Sequence, residues 1–567
     1  MLAKLQVLVV DCQASGATPR QGALLEVGWA MTGPQELTLP VEASWVTPPP
    51  GTSVSRPVRQ LTGWNEGCLE HAVAPGELWL RLLRQVAASG CAPQPCVIHF
   101  ARFELGFLQD LHRRYGQGPF PLDTVCLHEI ARRLFPSLPR RNLRALAGYL
   151  GHSPTLVRRS AGHVEASAFI WRAVVPALEA AGIQSWEALK TWLEEKAPPR
   201  PKRTYPMPAE RRRALPGRPG VYRFLRSNGD VLYVGKAANL KKRVLSHFTR
   251  GGRSTERALE MLTQVHDVDV TPVETALEAA LLETDEIKRL APPYNVHLLE
   301  GGRRAWFATA DLKEAAPAPD AVFRVGPLPS SRALAPLAAL RALAEGADCC
   351  ERGLRAAAVG VPRAFAPEEM VFAPAWENFH RTHLAGGPNG GWLALLRAAK
   401  RLALTGVADD REDRNEEVAP DEWNLDRVRR HLDRALLRSG QLFRRARCLV
   451  LLADAGVAFQ ERGNPRVRLL LLERAEIVER RDIEDPQSIP RRAPLGPWRE
   501  RQAVFDAARY DRLRVLATEL CRVRVEGGRV LLRIGARLLD QRGARLLIEQ
   551  PPHEAVGPLA PAPGGRG

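Results

Sequence analysis

The 567-residue chain is long enough for three or more domains and carries 81 Lys and Arg against 63 Asp and Glu, a formal charge of +18. An excess of that size favours a polyanionic partner through counterion release. No stretch approaches the roughly 18 consecutive apolar residues of a membrane span, which excludes an integral helical membrane protein, and the nine cysteines are scattered with no C-x-x-C pair, which excludes a disulfide framework.

Leu5 to Val10 is a largely apolar run of the length of a buried strand. Lys4 precedes it and Asp11 ends it, a pattern unlike a signal peptide. Leu24-Leu25-Glu26-Val27-Gly28-Trp29 is the expected hairpin partner. Val97-Ile98-His99 leads into Phe100 to Leu108, which carries Glu104, and a third block from Arg159 to Ala168 carries Glu165 in a predicted helix. Together these blocks resemble the three motifs of the DnaQ-like (DEDDh) exonucleases, which implies an RNase H-like fold over residues 1–185. In that family four carboxylates hold two metals and a histidine activates water. This chain departs from the pattern at most of those positions. Asp11 is in place, but Gln13 stands for the adjoining glutamate, Glu104 and Glu165 stand for aspartates, and Ser160 stands for the histidine. His163, two residues from Glu165, is expected to point elsewhere on the helix. Two-metal chemistry tolerates such changes badly. The domain is therefore read as a degenerate exonuclease used for DNA or partner binding, with Asp11, Glu104 and Glu165 as a weak metal site and an active 3′–5′ exonuclease as the alternative.

A basic, Pro-rich linker follows over 186–215, and its Arg211, Arg212 and Arg213 are candidate DNA-backbone contacts beside the next domain.

Val221 to Leu225 and Val231 to Val234 are β-prone runs flanking Asn228-Gly229, a strong hairpin signal that brings Tyr222 and Tyr233 onto neighbouring strands. Asn239 caps a predicted helix with Arg243 and His247 one turn apart. A further helix from about Glu274 to Leu290, stopped by Pro292-Pro293, places Glu283 on one face with Ala276, Ala280 and Ile287. A carboxylate on so apolar a face needs a partner or a metal. One Glu with water and a phosphate oxygen is an ordinary Mg²⁺ shell. Arg243 and Lys236 suit the scissile phosphate, and beside them the phenol of Tyr233 is favoured as phenolate and thus as a base.

These residues resemble the GIY-YIG nuclease domain in the version found in the bacterial incision nucleases UvrC and Cho. The resemblance is carried by Gly220-Val221-Tyr222, Tyr233-Val234-Gly235-Lys236, Leu240 to Val244, Leu282-Glu283 and Pro293-Tyr294-Asn295. Val replaces Ile in both signature tripeptides. It implies Tyr233 as general base, Tyr222 as site tyrosine, Lys236 and Arg243 as phosphate-side cations, Glu283 as ligand of Mg²⁺ or Mn²⁺, and Asn295 as a residue ordering the site. Lys241 and Lys242 are further expected DNA contacts. The domain is placed at 216–300.

Residues 301–405 are expected to be mainly helical, 406–424 an acidic linker, 425–550 an α+β domain, and 551–567 a disordered tail. The arginine-rich segment from Leu425 to Cys448 reads as a helix whose charges are either a solvated face or a DNA contact. Val467 to Leu472 and Val530 to Ile534 favour strands, though periodicity alone leaves helix open. Only Cys349 and Cys350 lie where UvrC relatives can carry an iron–sulfur cluster, so no cluster is expected. No Asp-Asp-His set like the second nuclease site of UvrC is visible, which implies a single incision. The chain reads as an α/β multidomain, cytoplasmic, nucleoid-associated bacterial endonuclease. It would nick damaged or structured double-stranded DNA in nucleotide excision repair, alongside damage-recognition proteins. A non-catalytic repair scaffold is the rival reading.

Overall fold

A computed structural model describes residues 1–33, 39–153, 158–197, 199, 201–249, 255–295, 305–384, 392–405 and 423–548. The expected acidic linker, apart from its last two residues, and the expected tail lie outside them. The chain divides into two compact units, one of residues 1–272 and 292–294, the other of 273–291 and 295–567. The division runs through the segment expected to be one nuclease domain.

In the first unit, β1 (Val7–Ala14), β2 (Leu24–Thr32), β3 (Glu42–Trp45), β4 (Gln94–Ile98) and β5 (Leu122–Cys126) form a sheet of order β3-β2-β1-β4-β5. The first three strands are antiparallel, while β4 and β5 run parallel to β1. That is the RNase H-like arrangement. The strand β1 reads as a continuous apolar run because both its faces are covered. Val7 and Val9 pack toward the helix Ser160–Ala180, and Leu8, Val10 and Cys12 pack toward helices Pro75–Ser89 and Ala101–Tyr115. It continues past Val10, so Asp11 and Gln13 lie within the strand, paired with Gly28 and Glu26. The expected linker begins later than residue 186. Trp186–Glu194 is a helix packed into the first domain's core through Trp186 and Leu189, with the Trp186 indole donating to Asp123 at 2.9 Å.

The same unit holds β6 (Gly220–Leu225), β7 (Val231–Ala237) and β8 (Asp267–Pro272) in an antiparallel sheet of order β7-β6-β8. The Asn228-Gly229 turn is present with Gly229 at φ 89°. Asn239 accepts from the Lys242 amide at 2.9 Å and so caps the helix Leu240–Thr249. The third strand and the helix Glu256–Gln264 are not among the expectations from sequence. That helix ties the two domains together. Glu260 accepts from Asn142 at 2.7 Å and from the buried Tyr294 hydroxyl at 2.6 Å.

In the second unit, β9 (Trp306–Ala308), β10 (Ala315–Ala316) and β11 (Val325–Leu328) make a small sheet ahead of the expected helices. A larger antiparallel sheet of order β14-β13-β12-β15-β16 comprises β12 (Gly456–Gln460), β13 (Val467–Glu473), β14 (Glu476–Ile483), β15 (Arg529–Ile534) and β16 (Arg537–Leu539). The expected runs at 467 and 530 are thus strands. The arginine-rich helix spans Leu425–Leu452. Its Val428, Leu432 and Leu436 join the core of the preceding helices, and its Leu449 and Leu452 join the core under the larger sheet. Regions expected as separate domains thus share one helix. Among the described residues no helix is long and apolar enough to cross a membrane.

Candidate active site

Strand pairing builds the tyrosine centre. Tyr222 is opposite Gly235, and Phe224 is opposite Tyr233, so all four share one face of the hairpin. Gly235 is what allows this. A Cβ there would stand 2.5 Å from the Tyr222 hydroxyl oxygen and 2.7 Å from Cε1 of Tyr233. The two rings lie 6.0 Å apart, and His247 from the capped helix covers both, at 5.7 Å from Tyr222 and 6.1 Å from Tyr233. The Tyr222 hydroxyl and His247 Nε2 are hydrogen-bonded at 2.7 Å. Tyr222 is fully buried, while Tyr233 is half-exposed, which suits Tyr233 better for meeting water or substrate.

Lys236 is paired with Val221 in the strand register, on the side opposite the tyrosine layer, and is exposed. Strand geometry thus does not place it beside Tyr233 as the sequence suggested. The group set against the tyrosines is His247, which sequence reading noted only as lying one turn after Arg243. Arg243 is exposed on the same helix, as are Lys241 and Lys242. Of the linker arginines, Arg211 is exposed and pairs with Asp267 at 2.7 Å, and Arg212 lies 4.4 Å over the Phe248 ring. Arg213 is exposed.

Glu283 and Asn295 belong to the second unit. Glu283 is half-buried on the helix Ala276–Leu290, whose start is fixed by a capping box of Thr275 and Glu278. Asn295 is buried. Among the described residues no three His, Cys, Asp or Glu side chains gather into a metal cluster. A single carboxylate donor suits a hard, well-hydrated cation such as Mg²⁺, whose remaining positions water fills, and it does not suit zinc.

In the exonuclease-like centre, protein groups occupy both oxygens of Asp11. Ser160 Oγ donates to one Asp11 oxygen at 2.7 Å, and His163 Nδ1 lies 2.9 Å from the other. His163 therefore faces Asp11, contrary to the sequence expectation. Ser160 and His163 stand one turn apart on one helix face, and Glu165 turns outward and is exposed. The proposed set of Asp11, Glu104 and Glu165 is accordingly not assembled. Glu26, which the motif reading passed over, is fully buried and accepts from the Ser160 amide at 3.0 Å and from Arg159 at 2.7 Å. Gln13 donates to the Arg158 carbonyl at 2.7 Å.

Glu104 accepts from the Cys12 amide at 2.8 Å, and burial, then the charge of Asp11, pushes its carboxyl well above the usual range. The folded state keeps a proton that the unfolded chain releases above about pH 4.3, so this group costs stability as pH rises from there. Glu104→Gln, which keeps an acceptor for Cys12 and removes the titration, is expected to raise the melting temperature by roughly 2–4 °C at pH 8. At pH 4 no gain is expected, and scanning calorimetry at both values checks this.

The family model described as the UvrC-like GIY-YIG domain matches residues 218–296. UvrABC system protein C of Alkalilimnicola ehrlichii is 53% identical over 94 residues, 17% of this chain and 15% of that protein. A Mycobacterium tuberculosis protein that carries the name of a bifunctional exonuclease/endonuclease is 32% identical over 326 residues, 55% of this chain and 47% of its own length. The magnesium-bound GIY-YIG N-terminal endonuclease domain of UvrC from Thermotoga maritima is 31% identical, with 15% of this chain and 93% of that one covered and a TM-score of 0.14. The chain thus spans under half the length of these curated relatives. Residues 218–296 are a UvrC-like GIY-YIG domain, and the chain joins it to an N-terminal domain of the RNase H-like exonuclease fold.

Proposed function

We propose that the chain is a divalent-metal-dependent endonuclease that makes a single-strand incision in damaged or structured double-stranded DNA, of the nucleotide-excision-repair type. The observation that carries this reading is the tyrosine layer under His247, built on the strands of the matched domain. In hydrolysis a water oxygen attacks phosphorus as the bond to the leaving sugar oxygen breaks. Tyr233 takes the proton of that water, and Tyr222 with His247 holds its ring in place. Arg243, with its fork of donors, binds the phosphate oxygens, while Lys236, on the other face of its strand, contributes as a point charge to holding the DNA backbone. Glu283 would hold Mg²⁺ or Mn²⁺, which when bound supplies charge stabilisation at the leaving oxygen. Asn295 orders the site from its buried position. Lys241, Lys242 and Arg213 contact the DNA backbone. The exonuclease-like domain binds DNA or a partner without cutting, since both Asp11 oxygens are held by the protein itself. Damage-recognition repair proteins would deliver the substrate in the bacterial cytoplasm.

The test is nicking of a lesion-bearing duplex by the full chain with Mg²⁺ or Mn²⁺. Glu283→Ala is expected to lose more than about a hundredfold in rate, above the span seen when only groups supporting a ligand are removed. Asp11→Ala is expected to nick normally. Retained cleavage in Glu283→Ala sinks the proposal, and 3′ trimming that disappears only in Asp11→Ala revives the exonuclease.

A further inference from the structure

The helix Ala276–Leu290 that carries Glu283 has a second face, and most of the core it joins comes from far along the chain. Leu277 and Leu281 join the core formed by Leu449, Val457, Leu513 and Leu516. Asp285 meets Arg512 at 2.9 Å, and Lys288 meets Asp511 at 2.8 Å. The second pair is buried, with side-chain exposures of 7% and 0%. Near the helix start Glu278 accepts from Arg468 at 2.5 Å, and that guanidinium also reaches Asp482 at 2.8 Å. At 100° per residue, positions 277, 281, 285 and 288 fall within a stripe of roughly 80°, and position 283 lies roughly 155° from its centre. The carboxylate and the anchoring stripe are therefore on opposite sides of one helix.

We infer that the C-terminal region is a brace for the metal carboxylate, with Asp511 and Arg512 as positioning residues that act through the helix. This rests on the reading of Glu283 as the metal ligand. Leucine contacts alone leave a helix able to slide or roll by a fraction of a turn, because dispersion has no direction. Ion pairs along one stripe limit that freedom, since each sets opposite charges at given positions: Asp285 against Arg512, which Glu476 also holds, and Lys288 against Asp511. A buried pair adds little net stability compared with apolar residues, and register is its best-attested use. A ligand that must be placed within about 0.5 Å gains from such a register. It would also explain why the Glu283 helix is part of the second compact unit.

The full chain tests this with Lys288→Met/Asp511→Leu, which keeps the site buried but removes the ion pair, and with Arg512→Ala beside the conservative Arg512→Lys. Mn²⁺ binding is read from the spin-resonance signal of free Mn²⁺, nicking from its Mg²⁺ titration, and helix order from hydrogen exchange of residues 276–290. The double variant and Arg512→Ala are expected to weaken Mn²⁺ binding about 10–100-fold, the usual cost of removing a group that orients a ligand. The Mg²⁺ midpoint should shift alike, exchange should quicken in that helix but not in Ser160–Ala180, and Arg512→Lys should recover most of the affinity. Unchanged Mn²⁺ affinity in variants whose helix exchanges faster, or unchanged exchange in the helix, overturns the brace. Full Mn²⁺ affinity in Glu283→Ala instead defeats the ligand assignment, and that arm does not depend on the brace.

Discussion

Tyr233→Phe is expected to slow nicking by roughly 10²–10⁴-fold, the usual contribution of one general base. The substitution removes an oxygen and keeps the ring, so the contacts with Tyr222, Phe224 and His247 survive. The loss should appear in kcat at saturating Mg²⁺, with DNA affinity measured in Ca²⁺ unaltered. Tyr222→Phe makes the informative contrast. Its hydroxyl is buried and bonded to His247, so deleting it costs a buried hydrogen bond, about 1 kcal/mol, and loosens the layer. Its rate should fall less, and His247→Ala should reproduce much of that fall. Equal losses from both phenylalanine variants would move the base to the Tyr222–His247 pair.

Legibility along the chain followed the range of the forces involved. The hairpin at Asn228-Gly229 and the helix cap at Asn239 could be read because each is decided within a few residues by turn chemistry or side-chain capping. The strand β1 was readable because burial on both faces leaves an unbroken apolar run. By contrast, β8 alternates Asp267, Val268, Asp269, Val270 and Thr271, but its place is set by pairing with β6. No local pattern announces that pairing. The same holds for the Glu283 helix, whose own periodicity marks an apolar face but cannot say that Asp511 and Arg512 will meet it.

His163 shows where residue spacing misleads. Counting from Glu165 placed it off the site, and the count was sound, since the two residues do diverge on the helix. The error lay in the reference point. The helix begins at Ser160, and it is Ser160 and His163, one turn apart, that face Asp11. Helix phase can be read from sequence, but which phase a distant strand meets is set by packing, here by the close approach of Gly28 to Ser160. Once that contact is made, a hydroxyl and an imidazole satisfy the Asp11 carboxylate, one of the four that would otherwise share two metals. The departure at Ser160 then fits a centre in which Asp11, which a metal would have paired, is paired by protein.

Gly235→Ala separates the geometry of the tyrosine layer from its chemistry, because it adds one methyl group and removes no functional atom. Its φ is not in the left-handed region, so backbone strain plays no part. What changes is space. The new Cβ would lie 2.5 Å from the Tyr222 hydroxyl oxygen, 2.6 Å from Cζ and 2.7 Å from Cε1 of Tyr233. A terminal hydroxyl on a surface tyrosine would swing aside at little cost. Tyr222 is fully buried, hydrogen-bonded to His247 and packed against Phe224, so its ring can move only by pushing those groups. Overpacking of this kind costs about 1–3 kcal/mol, which the domain should survive. A displacement near 1 Å at reacting groups costs about 10²-fold in rate. The variant should therefore fold, with a lowered melting temperature, bind DNA and Mn²⁺ normally, and nick roughly a hundredfold more slowly. Because Tyr233 keeps its hydroxyl, that loss would come from position alone. Wild-type rates in Gly235→Ala would mean that the contact of the two rings across the glycine has no part in catalysis.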